Sequence, residues 1–430
     1  MSSDLTRASV PPCEPLPRQL CNLDRLLHAM EKRGLDAIVA TSANNVFYLS
    51  GFNGIAHKSD EPRPYAFVLS RHAPRSPVLV VADYYLGTAL SMSTWVETIR
   101  SFRAVMLPLD LPAGDLDMDR FLPDALADDP RVVEIRARYA DGLGTACRAV
   151  LDELKLSGAR IGFDDPRFGA QLGLASSNMA DAYDALMFAR AVKTPAELRL
   201  LRRATTLNET AILRSIHSWS PGMTWREFNH AYNCAVAELG GFVRDPGGMV
   251  WGHPRGADPA ITLYARGDDF ELTPGMHVMF DCHGTVDMYC WDGGKTWVID
   301  DEPRGVAWTN ARACAEAAAE TMARMRPGVR ISELQGAARQ VFRRCGVADA
   351  DRAIVFFHGL GLSHMDIEQT TAAGRPNVDW QLEAGMVVPL HILYPGGERE
   401  RVWVEEVVEV AADGGKPFFS WGFDTINGRG

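Results

Sequence analysis

The sequence predicts two domains in tandem, an α/β domain over residues 1–185 and an α+β domain over residues 186–430. Three observations carry that prediction. A chain of 430 residues has room for two to three hydrophobic cores at ~150 residues each. Up to about residue 180, short apolar runs alternate with stretches of helical periodicity, as in mixed α/β packing. Beyond residue 262, glycine-broken β-prone runs come first, then two helical stretches, then strand again. Strands and helices are therefore segregated around one antiparallel sheet.

Taken in chain order, Leu23, Leu26, Leu27 and Met30 recur at helical spacing and the pattern stops at Gly34, which predicts an amphipathic helix with a glycine C-cap. Residues 37–40 and 46–49 are short apolar runs separated by turn residues, and they read as strands, or as a strand and a turn. Residues 66–69 and 77–82 continue as strands, and residues 161–165 are expected to close the unit. A domain boundary is expected near residue 185. The Thr194-Pro195 start signal follows, opening a helix with Glu197, Leu198, Leu200, Leu201 and Ala204 in phase. In the second domain residues 278–280 and 296–299 are the clearest strands. Residues 311–325 form an alanine-rich helix ended by Pro327-Gly328, and residues 332–345 a second one stopped by Gly346. Residues 386–393 and 402–410 return to strand.

Lysine and arginine number 44 against 55 aspartates and glutamates, for a net charge of −11 with no basic run. That balance excludes a nucleic-acid backbone or an anionic membrane as partner. No apolar stretch reaches the ~18 residues of a membrane span. Residues 1–20 mix charges with Pro11, Pro12, Pro15 and Pro17 and lack the apolar core of a secretory signal, so a cytoplasmic location is expected. The 8 cysteines are dispersed without a Cys-x-x-Cys pair, and they read as reduced, mostly buried thiols.

Five side chains stand out as candidate metal ligands because each places an acid or an imidazole at or within an apolar strand, where burial demands a partner. Asp281 ends an apolar strand, and Asp292 follows after a hairpin-like segment that can bring the two side by side. His358 opens His-Gly-Leu-Gly-Leu, whose glycines let the backbone pass close to a site. His391 and Glu405 each interrupt an otherwise apolar run. A shared metal would satisfy all five. Each has a plainer reading as well: His391 as a hydrogen-bonded core histidine, Asp281 and Asp292 as turn residues, Glu405 with Glu406 as a solvated pair. Arg255 can pair with a substrate carboxylate or form a surface salt bridge. Trp291 walls the pocket or fills the core. For His283 and Asp287, exposed turn positions are the simpler account.

The segment Arg190-x-x-Lys193-Thr194-x-x-Glu197-Leu-x-x-Leu-Arg202-x-Ala204 resembles the leading helix of the pita-bread fold of the creatinase, prolidase and aminopeptidase P family. Arg25, Gly34-Leu-Asp36-Ala and Asn45-Val-Phe-Tyr48-Leu-Ser-Gly51-Phe52 resemble the N-terminal creatinase-type domain of the same group. The resemblance implies a creatinase-type α/β domain followed by a pita-bread catalytic domain with one or two divalent transition-metal ions (Fe, Mn, Zn or Co). Carried over residue by residue, it places metal ligands at Asp281, Asp292, His358, His391 and Glu405. Acid–base roles fall to His364, Tyr264 and Asp366, and substrate contacts to Arg255 and Trp291. It also implies a homodimer acting on a small molecule or dipeptide.

The departures are specific. His391 stands where the family has glutamate, which leaves three carboxylates and one more imidazole. Lys295 stands where the family often has arginine. His364 follows His358 by six residues instead of seven and lacks the usual neighbouring glutamate, and Trp403 fills the position two before the last ligand, from which Arg401 is displaced. The loop from His358 to His364 is similar to that of the dimethylsulfoniopropionate lyases of this fold. The expected function is hydrolysis of a C–N bond in a small carboxylate-bearing substrate, of the Xaa-Pro peptidase or creatinase type. The alternatives are C–S β-elimination and a catalytically inactive binding module, the latter opposed by the buried acids.

Overall fold

The computed structural model describes residues 15–54, 64–104, 118–243, 249–251, 269–371 and 374–428. The chain forms two compact units that meet between Arg190 and Ala191.

In the first unit, helix α1 (Leu23–Lys32) buries Leu26, Ala29 and Met30, and the Asn22 side chain accepts from the Arg25 amide at its start. Gly34 follows at φ +63°, the left-handed turn that releases the chain into the sheet. Six strands, β1 (Ala37–Ala40), β2 (Tyr65–Ser70), β3 (Val78–Ala82), β4 (Thr98–Phe102), β5 (Ile161–Phe163) and β6 (Met179–Asp181), lie in the order β4-β3-β2-β1-β5-β6. β1 runs antiparallel to β2 and parallel to β5. The sheet continues past residues 161–165 to β6, so that segment does not close it.

Residues 46–49 are helical, contrary to the strand or turn expected of them. They belong to α2 (Ala43–Ser50), which ends at Gly51 with φ +79°. Every residue from Asn45 to Ser50 is buried, and a short run buried on all sides carries no period to separate helix from strand. The signal lay outside the run. Asp164, just beyond β5, accepts from the Ser42 amide and the Asn45 amide group, both at 3.0 Å, and so holds the helix N-terminus.

The second unit begins with α3 (Pro195–Ser218) and α4 (Trp225–Glu238), each opened by a threonine–glutamate capping box. Its strands are β7 (Phe242–Val243), β8 (Met249–Trp251), β9 (His277–Asp281), β10 (Gly284–Val286), β11 (Tyr289–Trp291), β12 (Gly294–Ile299), β13 (Ile354–Phe357), β14 (Val387–Tyr394), β15 (Val402–Ala411), β16 (Gly414–Pro417) and β17 (Ile426–Gly428). Eight form one sheet along β13-β14-β15-β12-β9-β8, with β16 beside β15 and β17 beside β12; β11-β10-β7 form a small second sheet.

Two cores flank this framework. In one, the alanine and cysteine face of α5 (Val306–Arg324) and Leu334, Val341 and Phe342 of α6 (Ile331–Arg344) pack with Val388, Leu390 and Val408 of the sheet. In the other, α3 and α4 pack with Phe280, Trp291 and Trp297. Small side chains on α5 let the helix lie close to the strands, and burial of the aliphatic and aromatic residues stabilises each by about 1.5–3 kcal/mol. Among the described residues no helix is long and apolar enough to cross a membrane. Among the described residues no two cysteines are joined in a disulfide, and five of the seven are buried.

Candidate metal centre

Three neighbouring strands and one hairpin build the site. Asp281 is the last residue of β9. The chain then turns through the β10–β11 hairpin, where Asp287 and Met288 both take positive φ (50° and 73°), the requirement of a tight two-residue turn. The hairpin returns Asp292 next to Asp281. Across the main sheet Glu405 of β15 pairs in register with His391 of β14 on one side and Gly294 of β12 on the other. Gly293 is needed here, because a Cβ would meet the Glu405 carboxyl carbon at 3.0 Å. His358 follows β13 directly and closes the ring.

Ligand-capable atoms of Asp292, His358, His391 and Glu405 lie within 4.8 Å of one another, all four residues buried. His358 Nε2 is 3.3 Å from Asp292 Oδ2, and His391 Nε2 is 2.8 Å from Glu405 Oε1. Despite these short approaches, both carboxylate oxygens of Asp292, both of Glu405 and His358 Nε2 make no hydrogen bond. Orphaned buried polar atoms are costly, and atoms that converge without hydrogen-bond geometry fit a cation shared among them. His358 Nδ1 faces its neighbour's carbonyl, Gly359 O, at 3.1 Å. A proton on Nδ1 leaves the Nε2 lone pair directed at Asp292. Phe356 stacks on His391 at 3.9 Å and Trp403 meets it edge-on at 5.5 Å, which fixes that ring.

The electrostatics point the same way. Burial, reinforced by the charges of Asp292 and Asp281, pushes the Glu405 carboxyl well above its usual range. Burial also opposes charge on Asp292, yet the charge of the neighbouring His283 holds it well below its usual range. Burial, then the neighbouring His358, keeps His391 neutral far below the ordinary imidazole value. A neutral imidazole beside crowded carboxylates is the state a metal ligand needs. The set of two imidazoles with two carboxylates suits Fe, Mn, Zn or Co.

Asp281, the fifth expected ligand, lies outside that four-residue group; its Oδ1 is 3.2 Å from His283 Nε2. His364 is nearly half exposed and brings its Nε2 to 3.0 Å from Asp292 Oδ2. Arg255 and Tyr264 lie outside the described residues.

Four expectations are corrected. Trp291 is fully buried in the core, wedged where a Cβ on Gly284 or Gly241 would strike its ring, so it walls no pocket. Asp366, expected in acid–base chemistry, is buried in an ion pair with Lys193 Nζ at 3.0 Å. The glycines of His-Gly-Leu-Gly-Leu make room for that aspartate instead of for a ligand: a Cβ on Gly359 would sit 2.6 Å from the Asp366 carbonyl oxygen, and one on Gly361 would overlap its carboxylate. His283 and Asp287 are not exposed turn positions. Asp287 is held by Arg203 at 2.8 Å, and His283 lies largely buried with Nε2 2.9 Å from Asp292 Oδ1. The signal for His283 was its place two residues after Asp281, since alternate residues of extended chain share a face.

The fold and the buried cluster of acids and imidazoles together define a two-domain metallohydrolase. Residues 199–412 match the model of metallopeptidase family M24 and residues 22–171 that of the creatinase/prolidase N-terminal domain; the chain belongs to the M24 family. It is similar in fold to a dipeptidase from Pyrococcus horikoshii OT3, with 16% identity, 94% of this chain and 99% of that one covered, and a TM-score of 0.68. Dipeptidase PepE from Mycobacterium ulcerans shares 21% identity over 94% and 96% of the two chains at a TM-score of 0.63. A Xaa-Pro dipeptidase from Bacillus anthracis shares 18% over 94% and 98%, also at 0.63. No curated protein sequence matches the chain.

Proposed function

We propose that this enzyme hydrolyses a C–N bond in a small carboxylate-bearing substrate of the dipeptide class, using a divalent Fe, Mn, Zn or Co ion held by Asp292, His358, His391 and Glu405. The observation that carries the reading is the set of buried oxygens and nitrogens on these residues that converge without hydrogen bonds. The bound ion would polarise the scissile carbonyl and acidify water. The chain's own contribution is geometric. Register across β14 and β15 sets His391 against Glu405, the Phe356 and Trp403 rings lock the imidazole, and the Gly359 carbonyl selects the His358 tautomer. The dipeptidases and Xaa-Pro dipeptidase of the same fold support the substrate class, and Arg255 is the residue proposed to meet the substrate carboxylate. The enzyme is proposed to act in the cytoplasm as a homodimer.

A second reading is favoured by the make-up of the cluster, two imidazoles with two carboxylates. Fewer negative charges would surround the ion than in a site built mostly of carboxylates, and the same residues would then serve β-elimination by stabilising enolate-like charge next to a substrate carboxylate. A single panel separates the two. Metal-loaded enzyme is offered Xaa-Pro dipeptides, creatine-like amidines and dimethylsulfoniopropionate, with free amino acid, urea and dimethyl sulfide as readouts. Amino acid or urea release supports hydrolysis; dimethyl sulfide with silence on every peptide and amidine overturns it.

A further inference from the structure

We propose that Ile354, Phe356, Leu393 and Trp403 form an apolar subsite beside the ion, which selects substrates carrying an uncharged aliphatic or aromatic side chain next to the scissile bond. The inference rests on the ion reading above and deepens it by naming the side-chain class of the substrate.

The placement follows from strand register. Phe356 of β13 pairs with His391 of β14, which pairs in turn with Glu405 of β15. Two residues along, Ile354 pairs with Leu393, and Leu393 with Trp403. Residues two apart on a strand share a face, so an apolar row runs beside the row that holds two of the proposed ligands. The ring contacts agree with the register. The His391 ring stacks on Phe356 at 3.9 Å and meets Trp403 at 5.5 Å, and Phe356 and Trp403 approach each other at 6.3 Å. Two residues of strand span only about 7 Å, the reach of one side chain, so a substrate held at the ion lays its side chain along the apolar row.

A second observation separates these side chains from the interior. Val355, Phe357, Ile392, Tyr394, Val402 and Val404, the alternate residues of the same three strands, all lie in the core that α5 and α6 cover. Ile354, Phe356, Leu393 and Trp403 belong to neither of the cores described above. Their burial is graded. Trp403 on β15 is 2% exposed, Leu393 on β14 is half-buried, and on β13, at the end of the sheet, Phe356 is 38% and Ile354 46% exposed. The row thus opens to solvent at the sheet edge and deepens toward the strand that carries Glu405. None of the four side chains is charged. A charged group laid on them would give up water without gaining a partner, whereas an apolar one gains by covering them. Apolar area continuous with polar, ligand-capable groups is the make-up of a small-molecule pocket.

The test uses hydroxamates, which chelate a divalent ion and trail a chain of chosen length and charge. Full-length protein loaded with Co²⁺ is titrated calorimetrically with acetohydroxamate, hexanohydroxamate and a hydroxamate of the same length ending in a carboxylate. Hexanohydroxamate is expected to bind about tenfold tighter than acetohydroxamate, or more, and the carboxylate-ended chain no tighter than acetohydroxamate. Ile354→Ser combined with Leu393→Ser is expected to erase most of that ratio, with cobalt content as in the native protein. Equal affinity for short and long chains, or tighter binding of the charged one, overturns the subsite and leaves the ion in place. Loaded protein that binds no hydroxamate overturns both the subsite and an ion open to substrate. Should the same double substitution turn a dimer into single chains by light scattering, a second copy covers the row and the proposal falls. Preference for the long chain in a protein that cleaves no dipeptide supports the subsite and overturns hydrolysis. The comparison of chains on the native protein needs no substitution, so a variant that fails to fold does not blunt the result.

Discussion

At the residue scale His391, which the resemblance to the family sets at a glutamate position, is the side chain on which the proposed site turns. In the structure the imidazole is buried, stacked on Phe356, met edge-on by Trp403, and faces Glu405. His391→Ala is expected to weaken metal binding by more than the ~10–100-fold that loss of an outer-shell partner costs, with the circular dichroism spectrum unchanged. His391→Glu is expected to restore binding, with hard-metal preference raised. Metal content unchanged in His391→Ala would mark it as a core histidine. That Asp292, His358, His391 and Glu405 come together was legible because acids and imidazoles at or within apolar strands contradict their surroundings. His283 was not, because a histidine beside glycine in a hairpin reads as a solvated turn until the strand pairing shows which way it faces.

At the element scale the loop carrying His358 and His364 is held from beneath by α3. Lys193 Nζ, fully buried just before the helix, reaches Asp366. Glu197 both caps the helix and accepts the Tyr289 hydroxyl at 3.1 Å. Lys193→Met removes the cation paired with a buried carboxylate and is expected to destabilise the protein by about 3–5 kcal/mol, whereas Lys193→Met with Asp366→Leu together recovers much of that, as read by urea unfolding. Glu197 supplies a pH test. Burial raises its carboxyl to about 7, against the opposing charge of Lys193. A raised folded-state value means that the group's contribution is full below its ordinary value of 4.5 and is lost as pH rises through about 7. Glu197→Gln is expected to flatten stability across that window; an unchanged slope would assign it to other groups. The helix was legible from its Thr194-Pro195 start and apolar phase. The roles of Lys193 and Asp366 were not, because partners 173 residues apart leave no local pattern.

At the scale of the whole molecule, segregation of strands and helices was legible from where the apolar period changes, and the candidate ligands lie within or just beyond the strands of the second unit. The misread segments, α2 and the edge strand β6, are short pieces whose identity is set by neighbours far along the chain. Asp164 sets α2, and β5 sets β6. Homodimerisation is expected to give a light-scattering mass about twice the 47.3 kDa of the chain; a single-chain mass at micromolar concentration would remove it. Stripping the metal is expected to lower the melting temperature, since crowded carboxylates then lose their cation.

The account turns on whether an ion sits among the orphaned atoms of Asp292, His358, His391 and Glu405. Anomalous diffraction from crystals of metal-loaded protein, collected above and below the absorption edge of the loaded metal, answers this directly. The account predicts an edge-specific peak within coordination distance of all four side chains, and absent in His391→Ala. Density there without an anomalous signal, or a peak only at other residues, would contradict it.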